Sequence, residues 1–435
     1  MSEAGRPERI STFSALRHGE FRFFFASLIT ANLGIWMQQF ALGWLVVELA
    51  VREGDPSLAG FYLGLRSLAA AIPSLVLGLL AGVLADRVDR RDLLLRARLA
   101  AAAVAIVLAL LVITGTINMV IVIAFSVLAS AVFAFDPPGR LAIVPSIVPL
   151  RDLFSAMGLT RASMQLAHAL GPLIGGLLIV PIGVGGVLLA KAGLTLASVA
   201  TLIPIRPRPP VREQEPSVAG ALMEGLGHIR RDELLRAVVL LQIVFALMSQ
   251  AVQGLLPAVA VETLGAGAME LSWLTAAMGA GSIVGAFAIG SIGNVERRGR
   301  LLLATMLACG LLTVVFGLQR TLLGAIGMLV ALGLVQQLFM GLHTVILQLG
   351  APDHLRGRVM GSQWIVFMTF GPIGVLAVGT LGTLIGVSNA LVLAGAAAGA
   401  VGLVMTVRYG VIRELRGGAA GAVVPVPAID GSAAE

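Results

Sequence analysis

Twelve long apolar runs constrain this chain more than any other feature. They lie at about residues 22–50, 58–85, 93–114, 118–145, 153–181, 184–205, 237–262, 271–293, 300–318, 322–349, 358–385 and 388–409. Crossing the hydrocarbon core of a bilayer as a helix takes ~20 consecutive apolar residues, and run after run reaches that length. Several are longer, which implies tilt or ends that protrude. Of the 435 residues only 12 % are charged and 58 % are hydrophobic, whereas a soluble domain carries roughly 25 % charged residues. So few charges cannot cover a surface that faces only water. The chain reads as an all-α membrane protein of about twelve transmembrane helices.

The formal net charge of +7 would raise nucleic-acid binding in a soluble chain. Its distribution gives a different reason. Arg6, Arg9, Arg17 and Arg22 precede the first span. Arg87, Arg90 and Arg91 follow the second, Arg151 the fourth, and Arg206, Arg208, Arg212, Arg230 and Arg231 the sixth. Arg297, Arg298 and Arg300 follow the eighth, Arg356 and Arg358 the tenth, and Arg413 and Arg416 the last. The alternate connections hold only Arg52 and Arg320. Arginine concentrates on the cytoplasmic side of membrane proteins. Both termini are therefore expected in the cytoplasm, which requires an even number of spans. The expected location is the plasma membrane, the inner membrane in a bacterium, and nucleic acid is not an expected partner. Residues 1–20 show no compact apolar core with a cleavage site, so they read as a retained cytoplasmic segment. The lone cysteine, Cys309, excludes an intrachain disulfide.

The longest internal polar stretch, 206–236, opens with RPRPPVREQEP and closes with the amphipathic ALMEGLGHIRRDELLR. It reads as a cytoplasmic linker between a six-helix bundle at 21–205 and another at 237–410. The tail 411–435 is small-residue and Pro/Gly-rich and is expected to be disordered. Weak repeats relate the halves. Met37, Gln39 and Gly43 recur as Met248, Gln250 and Gly254; GVLADRVDRR recurs as GSIGNVERR; Gly171-Pro172 recurs as Gly371-Pro372. Transporter folds are commonly built from such repeated bundles.

The most specific motif is GVLADRVDRRDLL, residues 82–94. One apolar run ends in a tight turn that sets Asp86 among guanidiniums, and arginine pairs carboxylates bidentately. The segment resembles the loop between the second and third helices of the major facilitator superfamily, on Gly82, Leu84, Asp86, Arg87, Arg90 and Arg91; Asp89 stands where that pattern has glycine. The resemblance implies two pseudo-symmetric six-helix bundles. It also implies a charge network that holds the cytoplasmic side shut, in which Asp136 in span four would pair with Arg90 or Arg87. In span five, Gly158, Gly171, Pro172, Gly175 and Gly176 supply small residues for close helix approach and a proline for a kink. This arrangement resembles the superfamily's antiporter motif, with Ala167 in place of one glycine, and implies export. The segments 32–49, 135–149 and 352–361 resemble the superfamily's drug and siderophore exporters, which include enterobactin exporters and macrolide efflux proteins.

Polar residues form helical stripes: Asn32, Trp36 and Gln39 in span one, Arg161, Gln165 and His168 in span five, Gln253 in span seven, Gln336 and His343 in span ten. Polar groups at bilayer depth must face protein or water. Together with Arg66 these residues are the expected substrate cavity, and the resemblance implies a central site near the bilayer midplane. Asp136, Glu48, His168 and His343 are the few groups able to carry a coupling proton. The cations Arg66, Arg161 and Lys191 suit an anionic or catechol-rich substrate. The expected function is export of a small amphipathic molecule by proton-coupled antiport and alternating access. A lipid flippase or importer of the same fold, and a non-transporting sensor or scaffold, are the alternatives. Small-molecule substrate, lipid bilayer and protons are the expected partners of a monomer. No cofactor or metal is expected. Paired carboxylates, a metal cluster and a nucleophile–histidine pair are missing from the spans, so an enzyme is not expected.

Overall fold

The computed structural model describes residues 13–85, 89–205, 218–291, 297–417 and 423–424. They are almost wholly helical: α1 (Gly19–Arg52), α2 (Ala59–Ala85), α3 (Arg90–Ile113), α4 (Met119–Phe133), α5 (Asp136–Ile147), α6 (Leu153–Leu202), α7 (Val218–Arg231), α8 (Glu233–Ala258), α9 (Ala268–Ser291), α10 (Arg298–Gly317), α11 (Leu322–Gly350), α12 (Arg356–Ile385), α13 (Val387–Arg408) and the short α14 (Gly410–Glu414).

Eleven segments among the described residues are long and apolar enough to cross a membrane. One of them contains α6, 50 residues long. At 1.5 Å per residue that is ~75 Å, more than twice the ~30 Å hydrocarbon core. Gly183 resolves the excess. Its φ of 66° is open to glycine and costly for other residues, and with Pro181 just before it the chain turns from one span into the next. The eleven segments thus hold twelve spans. The fourth span is itself broken. α4 and α5, 15 and 12 residues long, are each too short to cross alone. The sequence Asp136-Pro137-Pro138 starts α5 anew, with prolines in the first turn where they cost no hydrogen bond.

Several helix starts follow from capping side chains, which satisfy backbone N–H groups that the helix leaves unpaired. Asp89 accepts from the backbone of Arg91 at 2.8 Å, Asn118 from Ile121 at 2.9 Å, and Asp232 from Leu235 at 2.8 Å.

The described residues form two compact units. Unit 1 holds the chain to Leu45 and from Ile72 to the end of α6; unit 2 holds Val46–Ala71 and everything from α7 onward. The expected division at 206 therefore needs correction for Val46–Ala71, which packs with unit 2. The glycine pair Gly60 and Gly379 explains this: a Cβ on Gly60 would lie 3.2 Å from the Gly379 carbonyl oxygen, so α2 and α12 meet backbone to backbone. The core of unit 1 gathers Phe21, Phe24, Leu28, Leu94, Ile143 and Leu202. That of unit 2 centres on Leu235, Phe245, Phe339 and Leu347, with the Phe245 and Phe339 rings stacked at 4.2 Å.

Three expected boundaries shift. The N-terminal segment is built into the fold from residue 13: the Ala15 N–H donates to Ser155 Oγ at 3.2 Å, and His18 meets Asp152 at 2.8 Å. The linker's second half is α7, as its amphipathic pattern predicts, and α8 begins at Glu233 rather than 237; residues 206–217 lie outside the described residues. The tail is described as far as Gly417, and again at Val423–Val424. Ile412 and Leu415, spaced i, i+3, bury against the start of α10, and Arg416–Gly417 pairs antiparallel with Val423–Val424.

Candidate functional site: a buried ion cluster in unit 1

The break before α5 places Asp136 in the first turn of a helix, where the helix dipole favours a carboxylate. Asp136 is buried, so its charge needs partners. It has two. Arg98 of α3 donates from Nε at 3.0 Å, and Arg140, one turn along α5, lies at 3.9 Å. Arg98 also donates from Nη1 to Ser27 Oγ on α1 at 2.5 Å and to Ser198 Oγ on α6 at 3.1 Å. Ser27 in turn donates to the Ser198 carbonyl at 3.0 Å. Arg140 donates to Asn32 on α1 at 3.0 Å, and Asn32 donates to Ser163 on α6 at 3.3 Å. One carboxylate and two guanidiniums thereby tie α1, α3, α5 and α6 together. Nη2 of Arg98 and Nε of Arg140 have no hydrogen-bond partner among the described residues, so the cluster is short of anionic acceptors.

A second group lies farther along α1. The Trp36 and His168 rings have centroids 4.0 Å apart. A Cβ on Gly171 would lie 2.5 Å from the Trp36 Cβ, and one on Gly175 would lie 3.2 Å from the Phe40 ring. The two glycines therefore set the contact of α6 with α1. Pro172 and Gly176 are buried beside them, whereas Gly158 is exposed with nothing within 4 Å of its Cβ position. The motif residues thus divide: the pair at 171 and 175 packs helices and Gly158 does not. Arg161 and Gln165, in the same helical stripe as His168 but one to two turns nearer the start of α6, are exposed. At this depth in a span, polar side chains need water or protein rather than lipid.

Lys191, expected to serve an anionic substrate, is instead buried and donates to the Ala101 carbonyl at 3.0 Å. It pins α6 to α3. Gln39 is exposed on α1.

The polar residues of unit 2 assemble separately. Gln242 on α8 donates to the Gln363 carbonyl on α12 at 2.7 Å. The Gln363 amide donates to Thr344 at 3.0 Å and to His343 Nδ1 on α11 at 3.1 Å. An amide nitrogen only donates, so Nδ1 accepts and the neutral ring carries its proton on Nε2. His343 is fully buried and Gln336 nearly so. His343 links α11 to α12 through Gln363, whereas Gln336 Nε2 has no hydrogen-bond partner among the described residues; both side chains are buried rather than exposed. Gln253, Arg66 and Glu48 are half-buried.

Of the expected gating network, Asp86 and Arg87 lie outside the described residues, as do the Gly82 surroundings and the Arg90 side chain. Arg91 is described. Its guanidinium donates to the carbonyls of Leu202 and Ile203 at the end of α6, where the last carbonyls of a helix lack partners. Asp136, assigned above to Arg90 or Arg87, has Arg98 and Arg140 as its partners among the described residues. Sequence reading missed Arg98. What signal there is lies in LLLRARLA, where Arg98 stands eight residues after the start of α3, at a depth where a charge needs a partner, but Arg96 beside it carries the same signal. Among the described residues no group of three or more His, Cys, Asp or Glu side chains could hold a metal ion.

Two apolar-sheathed helical units, with polar groups buried between their helices, define a multi-pass transporter of the major facilitator fold rather than an enzyme. Within that class a family model described as "Transmembrane secretion effector" matches residues 10–419, and the chain belongs to this family of the major facilitator superfamily. It is similar to macrolide efflux protein A of Streptococcus pyogenes, 23 % identical over 343 residues that cover 77 % of this chain and 84 % of the relative. It is similar to the multidrug efflux pump Tap of Mycolicibacterium fortuitum, 26 % identical over 82 % of this chain and 87 % of the relative. It is also similar to the enterobactin exporter EntS of Shigella boydii serotype 18, 28 % identical over 70 % and 72 %. Two solved structures share the fold. A D-xylose–proton symporter has a TM-score of 0.66 and 14 % identity, covering 90 % of this chain and 97 % of the other. A peptide transporter POT in complex with sulfate has a TM-score of 0.68 and 13 % identity, covering 91 % and 95 %.

Proposed function

We propose that this transporter exports a small amphipathic molecule of the drug or siderophore kind across the bacterial inner membrane, by alternating access and in exchange for protons. It acts as a monomer with both termini in the cytoplasm, as the alternation of arginines supports. Its efflux relatives support the direction. The observation that carries the coupling is the Arg98–Asp136–Arg140 cluster. Ionised Asp136 holds two guanidiniums and, through them, four helices. A proton on Asp136 neutralises the one carboxylate that the described residues place between Arg98 and Arg140, leaves like charges facing each other, and loosens α3 and α5 from α1 and α6. A titratable group whose charge state sets helix packing is what proton-driven transport requires. Two guanidiniums per carboxylate, with Arg161 exposed on α6, favour an anionic or catechol-rich substrate over a lipophilic cation.

The test is transport in proteoliposomes. Asp136→Asn is expected to abolish flux driven by a pH gradient while leaving counterflow of the same substrate measurable. Gradient-driven flux that survives in that variant would remove Asp136 from coupling. In cells, candidate compounds are compared with and without an uncoupler: acidic or catechol compounds retained only in cells lacking the protein support the reading. Export confined to lipophilic cations overturns the substrate class, and net uptake overturns the direction.

A further inference from the structure

The helix α7 carries an apolar surface only partly covered by the protein. Two adjacent stripes run along it, Gly225 and Ile229 on one and Met223, Leu226 and Arg230, at i, i+3, i+7, on the other. The first faces the protein: Ile229 is buried, and a Cβ on Gly225 would lie 3.1 Å from the Arg358 backbone of α12. The second is uncovered, with Met223 70 % and Leu226 36 % exposed. Glu224, the one acidic side chain of α7, is ion-paired with Arg358. The remaining formal charges of the helix are Arg230 and Arg231, in its last turn. Only Asp232 separates that turn from the membrane span α8.

We infer that the Met223–Leu226–Arg230 stripe is a docking surface for the bilayer itself, with anionic phospholipid headgroups at Arg230 and Arg231. A helix with an apolar arc, cationic flanks and little net hydrophobicity lies in the interfacial plane with its apolar side among the acyl chains. Here one residue links it to a membrane-spanning helix, so it cannot stand far from that plane. Its single carboxylate is neutralised within the protein by Arg358, so the charge turned outward is positive. The Glu224–Arg358 pair and the Gly225 contact also fasten this lipid-facing helix to the first turn of α12. The leaflet concerned is the cytoplasmic one if the orientation proposed above holds; the lipid contact does not depend on it.

The experiment uses the full-length protein in nanodiscs and needs no transport substrate. An environment-sensitive fluorophore is attached through Met223→Cys, and separately through Leu226→Cys on the same stripe in case one variant folds poorly. Wild-type protein carrying only the buried Cys309 reports background labelling. The discs are phosphatidylcholine with and without phosphatidylglycerol, each with a lipid bearing a nitroxide near the headgroup. The expected result is blue-shifted emission, quenched by the nitroxide lipid and more strongly with phosphatidylglycerol. Replacing Arg230→Gln and Arg231→Gln should weaken the response to phosphatidylglycerol about five-fold per arginine, from ~1 kcal/mol for each basic residue at an anionic surface. Emission typical of water, quenched only by a soluble quencher and indifferent to lipid charge, overturns the inference. Quenching that depends on two protein copies per disc also overturns it and assigns the stripe to a second chain.

Discussion

Unit 1 and unit 2 bury polar side chains between their helices to a similar degree, yet they differ in kind. Unit 1 holds Arg98, Asp136, Arg140 and Lys191 with small hydroxyl partners. Unit 2 holds Gln242, Gln336, His343 and Gln363. The helix frames correspond more closely. Gly171 brings α6 onto Trp36 of α1 in unit 1, and Gly371 brings α12 onto Gln250 of α8 in unit 2, where a Cβ would lie 2.6 Å from Gln250 Cγ. A repeated packing frame therefore carries two chemistries. Amides tie helices without responding to protons, whereas a carboxylate between two guanidiniums changes charge when it binds one. The contrast is one of clusters rather than of whole units, since the half-buried Glu48 and Arg66 belong to unit 2: the Arg98–Asp136–Arg140 cluster is ionic, and the Gln242–Gln363–His343 links are neutral amide and imidazole contacts.

The sharpest way to break this comparison is to remove Arg98. Arg98→Leu leaves Asp136 buried with Arg140 at 3.9 Å as its one remaining cation among the described residues, and removes the donor to the Ser27 and Ser198 hydroxyls, which keep their own bonds to backbone carbonyls. Removing one partner of a buried ion pair costs ~3–5 kcal/mol. The matching change in unit 2, Gln242→Leu, removes one neutral hydrogen bond to the Gln363 carbonyl and should cost ~1–3 kcal/mol. Thermal unfolding in detergent measures both. Equal losses would show that ionic and neutral links carry the same weight, and the contrast between the units would fail.

A smaller effect tests the shared frame. Gly171→Val places branched atoms where even a Cβ would lie 2.5 Å from Trp36. Overpacking of this kind costs typically ~1–3 kcal/mol. Gly158→Val, in the same resemblance motif but open to its surroundings, should be close to neutral. Crosslinking between α1 and α6, together with unfolding temperature, separates the two. A large loss at Gly158 would return that residue to helix packing.

The fold was legible in the sequence because lipid leaves few options: every span must be apolar, long and helical, and arginines mark the alternate connections. The twelve runs, the amphipathic second half of the linker and the helix contact at Gly171 were visible for that reason. The site was legible only in part. Asp136 stood out as an acid within a span, but its partner did not. The superfamily loop draws attention to Arg87 and Arg90, and Arg98, about two to three turns farther along the chain, reads as the continuation of a basic stretch. Only the packing of α3 against α1, α5 and α6 shows which arginine turns inward. Lys191 misleads in the opposite way. A cation in a span suggests a ligand, but its ammonium is satisfied by the Ala101 carbonyl, a backbone acceptor with no sequence signal. The Val46–Ala71 exchange was hidden because it depends on a glycine of α2 meeting a glycine of α12, more than three hundred residues away.

The smallest expected effect falls on His343, and it bears on the role of unit 2. Its Nδ1 accepts one hydrogen bond from Gln363, which keeps a second bond to Thr344. His343→Gln can offer a side-chain oxygen to the same amide in similar space. The loss in stability should stay near ~1 kcal/mol, the value of a neutral hydrogen bond, and the pH dependence of transport should not move. His343→Leu removes the acceptor altogether and should cost more, again without shifting the pH profile. Flux measured across a pH series in proteoliposomes distinguishes a helix link from a proton carrier. A displaced profile in His343→Gln, with stability intact, would make His343 a proton carrier and would dissolve the contrast between the ionic cluster and the amide links.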